Sequence, residues 1–256
     1  MTGLRRNDHD GAARREWADL TAPTASPGRF SPELTAGLPA PVRRWLGRAV
    51  APGAALLESA ELTMHGRIRV GAWRRFSARQ VIAPPRGFVW SARTRMAGFP
   101  VTGYDRYGGG TGESRWRLLG VVPVVSGSGP DVTRSAAGRL ACEIPLVPAA
   151  ALGPSVTWEP GDERHAVARV RVDGEVFPVT FTVSLSGVLE SVCLARWGDP
   201  DHHGYRAHAF GAAFEGEVRC GAFTLPRTVR AGWWYGSGRW REGEFIHFIV
   251  EAAVHR

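Results

Sequence analysis

From Leu56 to the C-terminus, apolar residues recur at every second position in run after run, and one long stretch breaks the pattern. Period-two alternation marks a strand with one buried face. The clearest case is Val176 to Leu185. There Phe177, Val179, Phe181, Val183 and Leu185 point one way and Pro178, Thr180, Thr182 and Ser184 the other. Similar runs fall at 57–70, 72–82, 87–97, 99–107, 112–124, 155–159, 164–173, 175–186, 188–197, 205–219, 222–235 and 244–254. Asp173-Gly174, Gly108 to Gly112 and Ser186-Gly187 read as tight turns between them, so successive strands are antiparallel. About ten to twelve such strands cannot stay flat; they predict a mainly β fold, a large curved antiparallel sheet or half-barrel.

The interruption is residues 125–154, which hold an amphipathic helix at about 131–144, DVTRSAAGRLACEI. Val132, Ala136 and Leu140 form its apolar stripe, and at about 100° per residue Glu143 falls on that stripe with Arg139 beside it. A helix inserted in a meander of strands is expected on the sheet's concave side. A carboxylate on its buried face has to be paired or used. A second short helix is predicted at Pro41–Val50, with Val42, Trp45, Leu46 and Ala49 on one side. Residues 1–30 are polar, aperiodic and rich in Ala, Pro and Arg, and read as a disordered tail before a single domain at 31–256.

Composition removes whole classes of chemistry. The net charge is +8, yet every basic residue is arginine; the chain has no lysine, one asparagine (Asn7) and one glutamine (Gln80). A GC-rich coding bias accounts for that usage. Without lysine there is no Schiff base, no pyridoxal-phosphate site of the usual kind and no P-loop. The arginines are spread along strands and the Arg5-Arg6 and Arg14-Arg15 pairs are too sparse for a basic arm, so no nucleic-acid partner is expected. Three widely spaced cysteines without CxxC argue against a disulfide framework or a zinc knuckle. No apolar leader region precedes residue 30 and no transmembrane segment is encoded, which predicts a cytoplasmic location.

Four constellations carry candidate chemistry. Arg139 and Glu143 are an i, i+4 pair on the helix. In the run Tyr104 to Tyr107, Asp105 shares a strand face with Gly103 and Tyr107; aspartate is disfavoured in strands, so Asp105 is a candidate partner for an arginine across the interior. Arg93 and Arg196 are candidate bidentate partners for either carboxylate. The loop 198–208 holds Asp199, Asp201, His202, His203 and His208, all metal-competent types. They sit in a turn without zincin spacing, and neither a metal nor a cofactor is expected. GxSxG is absent, and the GGGTG run from Gly108 lies between two strands, where it is a hairpin. Ten tryptophans, eight of them in or near strands, can fill a core or line an apolar cavity.

Several of these segments together resemble a bacterial family of unknown function: LPAPVRRWL (Leu38–Leu46), Trp73 with Phe76 and Ala78, GFVWSAR (Gly87–Arg93), Asp105–Tyr107, RLACE (Arg139–Glu143) and Pro148. The likeness runs from Leu38 to the C-terminus and departs from the family pattern at Ile144–Ala149. It implies an architecture similar to the half-barrel of periplasmic lipoprotein carriers, a curved sheet lidded by helices around an apolar cavity. The expected function is to bind an apolar or amphipathic, lipid-like small molecule. Glu143, Arg139, Asp105, Arg93, Arg196 and Tyr107 form the ligand-binding or buried polar cluster. The alternative is an enzyme with Glu143 or Asp105 as general acid/base. A scaffold role would need an exposed apolar patch, which the polar alternation of Pro178 to Ser184 does not offer.

Overall fold

The computed structural model describes residues 11–22 and 27–256. Two helices come first, α1 (Gly11–Thr21) and α2 (Ala40–Ala49). The first six strands follow: β1 (Ala60–Val70), β2 (Ala72–Ala83), β3 (Gly87–Met96), β4 (Phe99–Gly108), β5 (Thr111–Leu118) and β6 (Val122–Ser128). After α3 (Pro130–Cys142) come two 3₁₀ turns, Ile144–Leu146 and Pro148–Leu152. The chain returns to strands with β7 (Val156–Pro160), β8 (His165–Val172), β9 (Glu175–Val183), β10 (Leu189–Gly198), β11 (Arg206–Cys220), β12 (Phe223–Trp233) and β13 (Glu244–His255).

All thirteen strands form one antiparallel sheet in the order β6-β5-β4-β3-β2-β1-β13-β12-β11-β10-β9-β8-β7. The chain lays down one arm (β1 to β6) and then the other (β7 to β13), and β1 pairs with β13 at the centre. Helix α3 is the link between the outer ends of the two arms. It packs on β5 on one side and β10 on the other, so it bridges the concave face. Gly129 (φ 101°) and Pro130 open the helix, and Gly112 lets it sit on the sheet: a Cβ there would lie 2.7 Å from Thr133 Cα. Leu140 is fully buried, whereas Val132 and Ala136 are only partly so; the embedded part is the C-terminal half.

Helix α2 buries Val42, Trp45, Leu46 and Ala49, the side its spacing predicts. Trp158 packs edge to face against both Trp45 and Phe181, and the Trp45 and Phe181 rings meet at a tilt. Asp173-Gly174 is a turn with both residues at positive φ, as its sequence suggests.

Two expectations are corrected. The run 112–124 is two strands, because Leu119 and Gly120 (φ 56° and 77°) form a hairpin turn between β5 and β6. That hairpin exposes Leu119, Val121, Val122, Val124 and Val125, an apolar patch the sequence reading did not anticipate. Within the presumed tail, residues 11–21 are α1. It seats Ala13 and Leu20 on the convex face of β2, β3 and β4, against Val81, Ala83, Val89 and Tyr104. The Arg5-Arg6 pair and residues 23–26 lie outside the described residues.

Candidate functional site

Four concave-face residues stand directly opposite one another across the first arm. Gln80 on β2 faces Trp90 on β3, Trp90 faces Asp105 on β4, and Asp105 faces Ser114 on β5. The last turn of α3 lies over this row. Arg139 reaches down from it, donating from Nε to Glu143 Oε1 (2.7 Å) and from Nη1 to Asp105 Oδ2 (3.2 Å). Glu143 is not inside the helix but its C-terminal cap (φ −92°, ψ 7°), which swings its side chain onto β2, where Gln80 Nε2 donates to Oε2 at 2.5 Å. Asp105 Oδ1 accepts from Ser114 Oγ (2.6 Å) and Trp116 Nε1 (3.2 Å). All four carboxylate oxygens therefore have donors.

The Arg139 guanidinium also lies over Phe88 (4.4 Å to the ring centroid) and Trp90 (5.3 Å). Burial pulls its pKa down, but the Glu143 and Asp105 carboxylates more than offset this and the net shift is upward. The cluster is not sealed: the side chains of Asp105, Glu143 and Arg139 keep 30%, 20% and 18% of their exposure.

Arg196 enters from the other arm, on β10. It is 9% exposed, donates from Nε to Ser135 O of α3 (2.9 Å), and lies over Phe210 (4.5 Å) and Trp233 (5.2 Å). Gly138 gives it room, since a Cβ there would be 3.3 Å from Arg196 Cγ. Burial, together with the nearby Arg139 charge, pushes the Arg196 pKa down to about 10. Cys142 stands close by, buried and free, with its thiol pushed well up by burial.

Between these groups and the middle of the sheet is a cavity of about 210 Å³. Gln80, Asp105, Arg139, Glu143 and Arg196 occupy its polar end. Its other walls are apolar: Met64 and Ile68 of β1, Phe210, Ala212 and Phe214 of β11, Val229, Ala231 and Trp233 of β12, Phe245, Ile246 and Phe248 of β13, and Pro145 and Leu146 after α3. Phe245 and Ile246 can both reach it because the pairing of β13 with β12 slips between Ala231 and Gly232.

The structure thus brings together Glu143, Arg139 and Asp105, with Arg196 on the same cavity. It does not bring Arg93 or Tyr107 there. Arg93 is exposed on the opposite face of β3, since residues 88, 90, 92 and 94 take the inner one. Tyr107 is buried on the inner face but nearer the end of β4, where its hydroxyl donates to Asp173 in the β8–β9 turn (2.5 Å) and ties the two arms together. Burial and the Asp173 carboxylate push its pKa up.

Gln80 is the member that pattern reading missed. Its signal was its rarity: the chain's one glutamine sits on an inward position of an otherwise apolar strand end. The loop 198–208 is stitched by its own bonds, Asp201 to Arg206 (2.5 Å) and Asp199 to the Gly204 amide (3.1 Å).

A half-barrel closed by one helix over an apolar cavity with a polar end is the class this architecture defines. The chain belongs to a family of unknown function (DUF6544), whose signature matches residues 28–245. Its fold is similar to that of a LolA superfamily protein from Nitrosomonas europaea, at 9% identity over 86% of this chain and 94% of that one, with a TM-score of 0.43. It is also similar to a putative outer membrane lipoprotein-sorting protein domain from Vibrio parahaemolyticus, at 8% identity over 77% and 85% of the two chains, with a TM-score of 0.34. No curated protein matches the chain significantly. Among the described residues no helix is long and apolar enough to cross a membrane.

Proposed function

We propose that the protein binds an apolar or amphipathic small molecule in the cavity between α3 and the sheet. The observation that carries this reading is an unfilled space of about 210 Å³ whose walls are mostly aliphatic and aromatic side chains. Protein interiors are close-packed, and voids of this size are rare without a use. A lined apolar cavity of about 150 Å³ takes up a molecule the size of benzene, so this one suits a ring system or a length of alkyl chain. A whole two-chain lipid exceeds it. The polar end would orient the occupant, and the apolar walls would supply the affinity.

The test is a homologous series of primary alcohols, from butanol to decanol, titrated into the purified chain by calorimetry. Each methylene buried contributes about 0.8 kcal/mol, so affinity should rise about fourfold per carbon until the cavity is full and then level off. An affinity that does not respond to chain length would contradict the reading.

A further inference from the structure

Among the described residues no carboxylate lies within salt-bridge distance of Arg196, whereas Arg139, its neighbour on α3, holds two. Among the described residues its only hydrogen bond is from Nε to Ser135 O. The two terminal nitrogens have no partner among the described residues and are not fully enclosed, and Arg196 is one of the residues that line the cavity. A charged group more than nine-tenths buried and left in this state is costly unless something else completes it.

The surroundings fix what that something can be. Phe210 and Trp233 lie against the guanidinium, which leaves its N–H groups pointing outward in its own plane. With Nε occupied, the remaining face is the end-on fork of Nη1 and Nη2, which matches a planar two-oxygen acceptor. Neither carboxylate that lines the cavity is free to serve, because the oxygens of Asp105 and Glu143 are engaged by Arg139, Gln80, Ser114 and Trp116. Arg139 and Arg196 are matched in number by Asp105 and Glu143. A monoanion therefore gives Arg196 a direct partner at the smallest excess of negative charge. A phosphate monoester, at about −1.5 to −2, would add more beside two fixed carboxylates in an apolar space.

We infer that the occupant of the cavity is a monocarboxylic acid with an apolar body, and that Arg196 receives its carboxylate. This rests on the cavity being a binding site, and the experiment separates the two claims. Octanoate, octanol and octyl phosphate are titrated by calorimetry, at neutral pH, into the full chain and into its Arg196→Gln variant. Octanoate should bind the unaltered chain about 10- to 100-fold more tightly than octanol, the range of one charge-assisted contact, and more tightly than octyl phosphate. In Arg196→Gln the advantage of octanoate over octanol should vanish. Should the variant not fold, the three ligands on the unaltered chain still decide. Equal binding of octanoate and octanol overturns the anion assignment and leaves the apolar site standing. Tighter octyl phosphate overturns the carboxylate assignment. No binding of any of the three overturns both.

Discussion

The chain's single glutamine, Gln80 on β2, donates its side-chain amide to Glu143 at the end of α3, at 2.5 Å. This bond fastens the bridging helix to the first arm from below, at a residue that is 2% exposed. Replacing Gln80 by Leu leaves Glu143 Oε2 without a donor and should cost about 1–3 kcal/mol. Gln80→Glu should cost more at neutral pH, by setting two carboxylates against each other, and should recover part of the loss on acidification. Urea denaturation at two pH values measures both. A Gln80→Leu variant as stable as the parent would show that the bond holds nothing.

Among the described residues, Arg139 is the one cation shared by Asp105 and Glu143. Arg139→Met should destabilise the protein by about 3–5 kcal/mol, because it strands two partly buried charges. Adding Asp105→Asn and Glu143→Gln removes the stranded charges, so the triple variant should be more stable than Arg139→Met alone. Strict additivity of the three changes in denaturant unfolding would contradict the shared role.

His255 is held neutral. Burial pushes its pKa down to about 4, its Nε2 meets Leu146 O at 3.2 Å, and its ring stacks on Phe223 at 4.1 Å. The unfolded chain takes up a proton near pH 6.5 and the folded one does not until about pH 4, so folding opposes protonation. Stability is complete above about pH 6.5 and falls as pH drops towards 4, by about 1.4 kcal/mol per unit and about 3 kcal/mol in all. His255→Gln keeps a donor for Leu146 and should flatten that slope between pH 6.5 and 4. An unchanged slope would assign the pH dependence to other groups.

Ala231 faces the cavity from β12. Filling an unoccupied space differs from overpacking a filled core, which costs about 1–3 kcal/mol. Ala231→Leu should change unfolding stability by less than about 1 kcal/mol and weaken octanol binding at least tenfold. A large loss of stability with unchanged binding would mean that the space is not where octanol goes.

The curved sheet was legible because its alternation is strict, as in β9, where Phe177, Val179, Phe181 and Val183 are all buried. Leu185 was expected among them, but β9 ends at Val183 and Leu185 is 61% exposed. The β5–β6 turn was hidden, since leucine rarely takes the positive φ that Leu119 has there. Helix α1 leaves a trace in the strands it covers. Val81-Ile82-Ala83 and Phe88-Val89-Trp90 are continuous apolar runs, which mark strands covered on both faces. Asp105 and Glu143 stood out as acids on apolar faces. Arg196 was visible only as the last charge on an apolar strand, and nothing local in the chain distinguishes it from the exposed Arg93. That difference is set by register: residue 196 falls on the inner face of β10, residue 93 on the outer face of β3.

Whether the cavity holds a molecule is tested most directly by native mass spectrometry of the purified chain, before and after excess octanoate. One bound small molecule is expected, either a co-purifying species that solvent extraction releases and octanoate displaces, or octanoate itself at a ratio of one. A mass equal to that of the bare chain under both conditions would contradict the proposal that this half-barrel is a binding protein.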